Sequence, residues 1–158
     1  MSGLISGTNI PPDAEIIARA WALSKTSITD IVSQRVATRL PANPTLPFLV
    51  LEKTGGSLID EDSQIAINGD DIVFNCYAGR YGGDNTKGEP DYTTASNLAN
   101  AIYKEAHVQG NTVVTTSGGT KARIYGFRVT GTPVRVEQPE LLIANFQIFV
   151  SMIYRASA

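Results

Sequence analysis

The end of the chain constrains the fold more than any other stretch. From Leu142 to Tyr154 the side chains alternate, so that an extended strand places Phe146, Ile148, Val150, Met152 and Tyr154 on one side. Asn145, Gln147, Phe149, Ser151 and Ile153 fall on the other. A strand with one wholly apolar side needs neighbouring strands and a covering layer. Its second side is too polar for another deep core and too apolar for a plain wetted surface, so part of it is expected to be covered.

A chain of 158 residues can bury a core of its own without disulfides or a structural metal. Residues 1–12 read as a flexible lead-in and 13–158 as a single domain. The net charge of −2, with Lys and Arg scattered through the sequence, is not that of a protein that grips phosphate backbones. Cys76, the single cysteine, lies in an apolar run and reads as a small buried hydrophobe. No apolar run approaches the roughly 20 residues needed to span a bilayer, and the N-terminus lacks the pattern of a secretion signal. A soluble protein without membrane contact is expected.

Pro11-Pro12-Asp13 is a helix-start signal, and a helix is expected from about Asp13 to Lys25 with Ile16, Ile17, Ala20 and Leu23 or Trp21 on its apolar stripe. A second short helix is expected from Thr29-Asp30 to the Leu40-Pro41 break. Three prolines between 41 and 47 then impose an extended linker. Phe48 to Lys53 reads as a strand that Gly55-Gly56 ends. The acidic stretch 57–67 reads as a connection, Asn68-Gly69-Asp70-Asp71 as a turn, and Ile72 to Tyr77 as the next strand. A Gly-rich loop covers 79–92. In the segment after it, Ala95, Leu98, Ala99, Ile102 and Ala106 recur at helical spacing, with Thr93 or Thr94 as cap and Gly110 as stop. Strands at 112–116 and 122–130 flank a Ser117-Gly-Gly-Thr120 turn, 134–137 resumes the sheet, and the final strand follows Pro139. This is the element order of one α+β domain.

Reactive chemistry is sparse in this sequence. His107, the sole histidine, sits where a helix end welcomes a donor, and no orienting group can be named that would join it to Cys76 in acid–base work. Asp60, Glu61, Asp62, Asp70 and Asp71 do not follow the spacing of a calcium loop and read as solvated turn residues. Gly82-Gly-Asp-Asn-Thr-Lys87-Gly88 has the wrong order for a phosphate loop. No catalytic, cofactor or metal residue is assigned, and an enzyme is not expected. Tyr77, Tyr81 and Tyr92, with Arg80 and Lys87 in the same region, are contact candidates, although tyrosines incidental to a flexible loop would look the same. Lys121, Arg123, Arg128 and Arg135 line the later strands. They read either as an ordinary charged sheet face or as partners for the acidic 60–62 region of a neighbouring subunit.

Four segments carry a family resemblance: Arg35-Val36-Ala-Thr-Arg-Leu40-Pro41, Pro47-Phe48-Leu-Val-Leu51, the helix Ser96-Asn-Leu98-Ala99-Asn-Ala-Ile102-Tyr103, and the terminal Val150-Ser-Met-Ile-Tyr154-Arg155. Behind an N-terminal helix, this layout resembles the tail terminator (tail completion) proteins of long-tailed bacteriophages over most of residues 13–155. The resemblance implies a mainly antiparallel β-sheet flanked by two or three α-helices. It implies a hexameric ring at the head-proximal end of the tail that ends tube polymerisation and meets the head connector. The implied partners are other copies of the chain, the tail-tube protein and the connector or stopper. The genome would pass through the ring without sequence-specific binding, and the location would be the virion neck, reached from the host cytoplasm during assembly. A head–tail stopper, another neck protein, a tail-tube subunit or a small ligand-binding α+β domain are the alternatives. The Gly-rich 79–92 loop departs from the family pattern.

Overall fold

Asp13 starts the first helix by accepting a 2.8 Å hydrogen bond from the Glu15 amide, which satisfies one of the amides a helix start leaves unpaired. In this computed structural model, which describes residues 13–60, 67–80, 88–137 and 143–157, the helix is α1 (Ala14–Leu23). It buries Ala14, Ile17, Ala18, Trp21 and Ala22 and leaves Ile16 outside, so the buried stripe lies one position away from the expected one. Helix α2 (Thr26–Val32) begins and ends earlier than its sequence signals suggest. Beyond it come a two-residue strand β1 (Val36–Ala37), β2 (Phe48–Asp60) and β3 (Ile67–Ala78).

Helix α3 (Tyr92–Val108) buries Ala95, Leu98, Ala99, Ile102 and Ala106, the five residues its periodicity selects. Its cap is Asp91 rather than a threonine. The Asp91 carboxylate accepts from the Thr94 amide at 2.9 Å and from the Thr94 hydroxyl at 2.6 Å. Strands β4 (Thr112–Thr115), β5 (Lys121–Val129), β6 (Val134–Val136) and β7 (Ala144–Ser157) complete the chain.

The seven strands form one sheet in the order β1-β2-β3-β7-β5-β4, antiparallel except for the β1–β2 pair. Strand β6 lies on the same edge of β7 as β5, end to end with it. The terminal strand is thus central, paired on both sides, which is what its long alternation requires.

One face of the sheet carries Leu49, Leu51, Ile72, Phe74, Ile148, Val150, Met152 and Tyr154 into a single core with the helices. Helix α3 lies over β7, β3 and β5, while α1 touches both β2 and β4, near opposite ends of the sheet. The sheet therefore curls around α1. Trp21 is the centre of this arrangement: it is fully buried, its ring lies 4.5 Å from Phe127 and 6.0 Å from Phe74, and its indole N–H donates to Gln109 Oε1 at 3.0 Å.

The region read as a turn departs most from expectation. Asn68, Gly69, Asp70 and Asp71 are inside β3, paired with β2 on one side and Tyr154, Ile153, Met152 and Ser151 of β7 on the other. Gly55 and Gly56 likewise continue β2 past a bulge after Lys53. Asp70 is buried, so its reading as a solvated turn residue is corrected. It is held by the Tyr154 hydroxyl at 2.5 Å and the Lys53 ammonium at 3.6 Å.

Candidate assembly surface

The register that points the apolar side of β7 at the helices points the mixed side away from them. Across this second face, Phe48, Tyr77, Asn145 and Val136 form one row, and Val50, Asn75, Gln147 and Val134 the next. Glu52, Val73 and Phe149 make a third row, and Asp71, Ser151 and Arg128 a fourth. Phe48, Val50 and Val73 are buried yet belong to neither of the hydrophobic clusters that include the helices. Phe149 is 43% exposed and Val134, diagonal to it across the β6–β7 pair, is 50% exposed.

Polar side chains tie the rows together. The Gln147 amide donates to Asn75 Oδ1 at 2.8 Å, and the Ser151 hydroxyl donates to Asp71 Oδ1 at 2.5 Å. Burial, with a smaller contribution from the charge of Glu52, pushes the Tyr77 phenol above its ordinary range. The result is a mixed face in which the hydrogen-bonded Asn75–Gln147 pair stands between Val50 and Val134, and in which Phe149 and Val134 are large apolar side chains left exposed.

Charge divides along the strand order. Strands β4 to β7 carry Lys121, Arg123, Arg128, Arg135 and Arg155 and no carboxylate, whereas β2 and β3 carry Glu52, Asp60, Asp70 and Asp71 against Lys53 alone. Arg123 and Arg155 are register partners on β5 and β7, so two side chains of like charge start from opposed positions with Cβ atoms about 5 Å apart. Arg123 Nη1 donates to Asn111 Oδ1 at 2.7 Å, and the Arg155 guanidinium lies 6.0 Å from the Tyr125 ring centre. The Nε of each arginine is buried without a hydrogen-bond partner.

A chain of the virion of a native gene transfer agent (GTA) particle is similar to this one. The match covers 96% of this chain and 99% of that one, with a TM-score of 0.56 and 12% sequence identity. The two share a fold. No protein-family model matches the sequence, and no curated protein matches it.

Of the contact candidates, Tyr77, Arg123 and Arg128 share the face without helices but do not come together, since Tyr77 pairs with Asn145 near one end of β7, Arg128 with Ser151 and Arg123 with Arg155 near the other end. Tyr92 lies off this face: it opens α3, where its ring packs edge-on to Phe146 and lies 3.7 Å beneath the Arg135 guanidinium, an internal anchor for the helix start. Arg80 forms a bridge with Pro90 that narrows the neck of the Gly-rich loop. Asp60 ends β2, while Glu61, Asp62, Tyr81 and Lys87 lie outside the described residues. Arg155 was absent from the candidates. Alternation alone puts it on the side of Phe149 and Ile153, but only the β5–β7 register reveals its arginine partner.

Elsewhere, a groove of about 340 Å³ between α2 and α3 is lined by Ser27, Asn97, Asn100, Ala101, Lys104 and Glu105. Among the described residues, no group of three His, Cys, Asp or Glu is placed to hold a metal ion, and no helix is long and apolar enough to cross a membrane. His107 is exposed in the last turn of α3 and stacks on Tyr103, with ring centres 5.9 Å apart.

Proposed function

We propose that this chain is a structural subunit of a phage-like virion, a tail terminator that assembles as a ring at the head-proximal end of the tail. The observation that carries this reading is the likeness to a virion chain across nearly the whole length of both proteins. The exposed Phe149 and Val134 on the sheet face support it, because a subunit that works by repeated contact needs exposed apolar area of this kind. In this reading the chain acts by shape and without catalysis. A closed ring of head-to-tail contacts caps the tail tube and leaves no site for a further tube layer. The opposite side of the ring meets the head connector.

Removal of the gene from its parent phage or phage-like element tests the assignment by electron microscopy. Tails of uncontrolled length without heads are expected. Tails of normal length left detached from filled heads would assign the chain to a head–tail stopper instead, and unchanged particles would remove it from the neck altogether.

A further inference from the structure

We infer that the Arg123–Arg155 pair is a carboxylate receptor, and that its occupant is the acidic β2–β3 half of a second copy of this chain. Like charges at directly opposed strand positions repel each other, and each guanidinium has a buried Nε without a partner, so neither is fully satisfied within the chain. A carboxylate from outside reaches their outer nitrogens, not the buried Nε atoms, and offsets the repulsion through charge-assisted hydrogen bonds. Charge complementarity names its source. On the face without helices one half of the sheet carries Lys121, Arg123, Arg128 and Arg155, whereas Arg135 lies on the helical side over Tyr92 and pairs with Glu137 at 3.1 Å; the other half offers Glu52 and Asp71 as exposed acids.

The division is satisfied by a head-to-tail contact, which sets the basic half of one copy on the acidic half of the next and repeats as a ring requires, and equally by a two-fold contact whose axis lies between the halves. The mass of the assembly, a dimer or a larger closed ring, separates the two. The inference rests on the reading of the chain as a self-assembling virion subunit.

The test is a charge swap on the full-length chain, with mass measured by sedimentation alone and with purified tail tubes. Arg123→Glu/Arg155→Glu and Glu52→Lys/Asp71→Lys variants are each expected to associate at least tenfold more weakly than wild type. Mixing the two restores association, since each supplies the half the other has reversed. Arg123→Gln/Arg155→Gln, which removes charge without reversing it, weakens association in the same direction and covers the case in which the glutamate variant does not fold.

Wild-type assemblies that both arginine variants leave intact, or a mixture that fails to recover, overturn the inference and leave the virion reading standing. A wild-type chain that stays monomeric even with tail tubes overturns both. Loss of duplex DNA binding in the arginine variants, with association unchanged, would make the pair a phosphate site and overturn the carboxylate assignment.

Discussion

The Tyr154 hydroxyl donates a 2.5 Å hydrogen bond to Asp70 Oδ2 across 84 positions of sequence, joining the end of β7 to the start of β3 inside the core. Asp70 is only 5% exposed, and its cationic partner, Lys53, stands 3.6 Å from the same oxygen. Tyr154→Phe therefore leaves a buried carboxylate oxygen without its hydrogen-bond donor and with the Lys53 contact alone, at an expected cost of about 1–3 kcal/mol, read from the midpoint of denaturant unfolding.

The same bond sets a pH dependence. Burial first, then the hydrogen bond and charge of Asp70 and more weakly Asp13, hold the Tyr154 phenol above its ordinary value of 10.0. Burial alone does the same to the Cys76 thiol, ordinarily 9.0. In both cases the folded chain keeps a proton that the unfolded chain releases, so stability is full below these ordinary values and falls as pH rises through them. Unfolding free energies measured between pH 7 and 11 are expected to decline from about pH 9. Tyr154→Phe makes the decline above about pH 10 shallower. An identical slope in the variant would show that Tyr154 does not hold its proton.

Gly56 is the backbone counterpart of Asp70. A Cβ built there would stand 1.9 Å from Asp70 Oδ1 and 2.9 Å from Asp70 Cγ, so Gly56→Ala must displace a carboxylate already held by Tyr154. The expected loss is about 1–3 kcal/mol. Gly118→Ala, where nothing lies within 4 Å, provides the control and should stay within about 0.5 kcal/mol of wild type. Thermal melts of the two variants measured together check the contrast.

These residues also mark where the sequence could be read and where it could not. The five buried positions of α3 and the two sides of β7 follow from periodicity, because a long element with one covered face needs no tertiary information to declare itself. Asn68-Gly-Asp-Asp71 fails for the opposite reason. Its composition is that of a turn, and as a strand it relies on Tyr154, the register partner of Asn68, reaching diagonally to Asp70 and on Gly56 leaving the carboxylate room. That information is distributed over three distant segments. The assembly surface is legible to the same degree: alternation exposes the mixed face of β7, but the Arg123–Arg155 juxtaposition exists only in the register.

Trp21 allows a second probe of the core. As the sole tryptophan, its fluorescence reports the packing between α1 and the curled sheet. Gln109→Ala removes the acceptor 3.0 Å from the buried indole N–H, with an expected destabilisation of about 1–3 kcal/mol. Trp21→Ala should cost about 3–5 kcal/mol, since it empties the space against Phe74 and Phe127. In Gln109→Ala, unfolding followed by fluorescence and by circular dichroism should shift together, because α1 belongs to the one core and does not melt separately.

The second sheet face should behave in the reverse way, being nearly silent in folding and decisive in assembly. Phe149 and Val134 are 43% and 50% exposed, so Phe149→Thr/Val134→Thr removes apolar area that the folded monomer has not fully taken from water. Threonine preserves the preference for extended backbone, and the melting free energy should change by about 1 kcal/mol or less. If the face is the contact surface of a virion subunit, the same pair of substitutions removes two of its exposed large apolar side chains, the kind of anchor on which binding energy concentrates. Incorporation into particles, scored by electron microscopy and by the mass of the isolated protein, is then expected to fall at least tenfold while the circular dichroism spectrum remains that of wild type. Full incorporation by a variant lacking both side chains would move the contact surface elsewhere on the molecule, most directly to the helical side that carries the groove between α2 and α3.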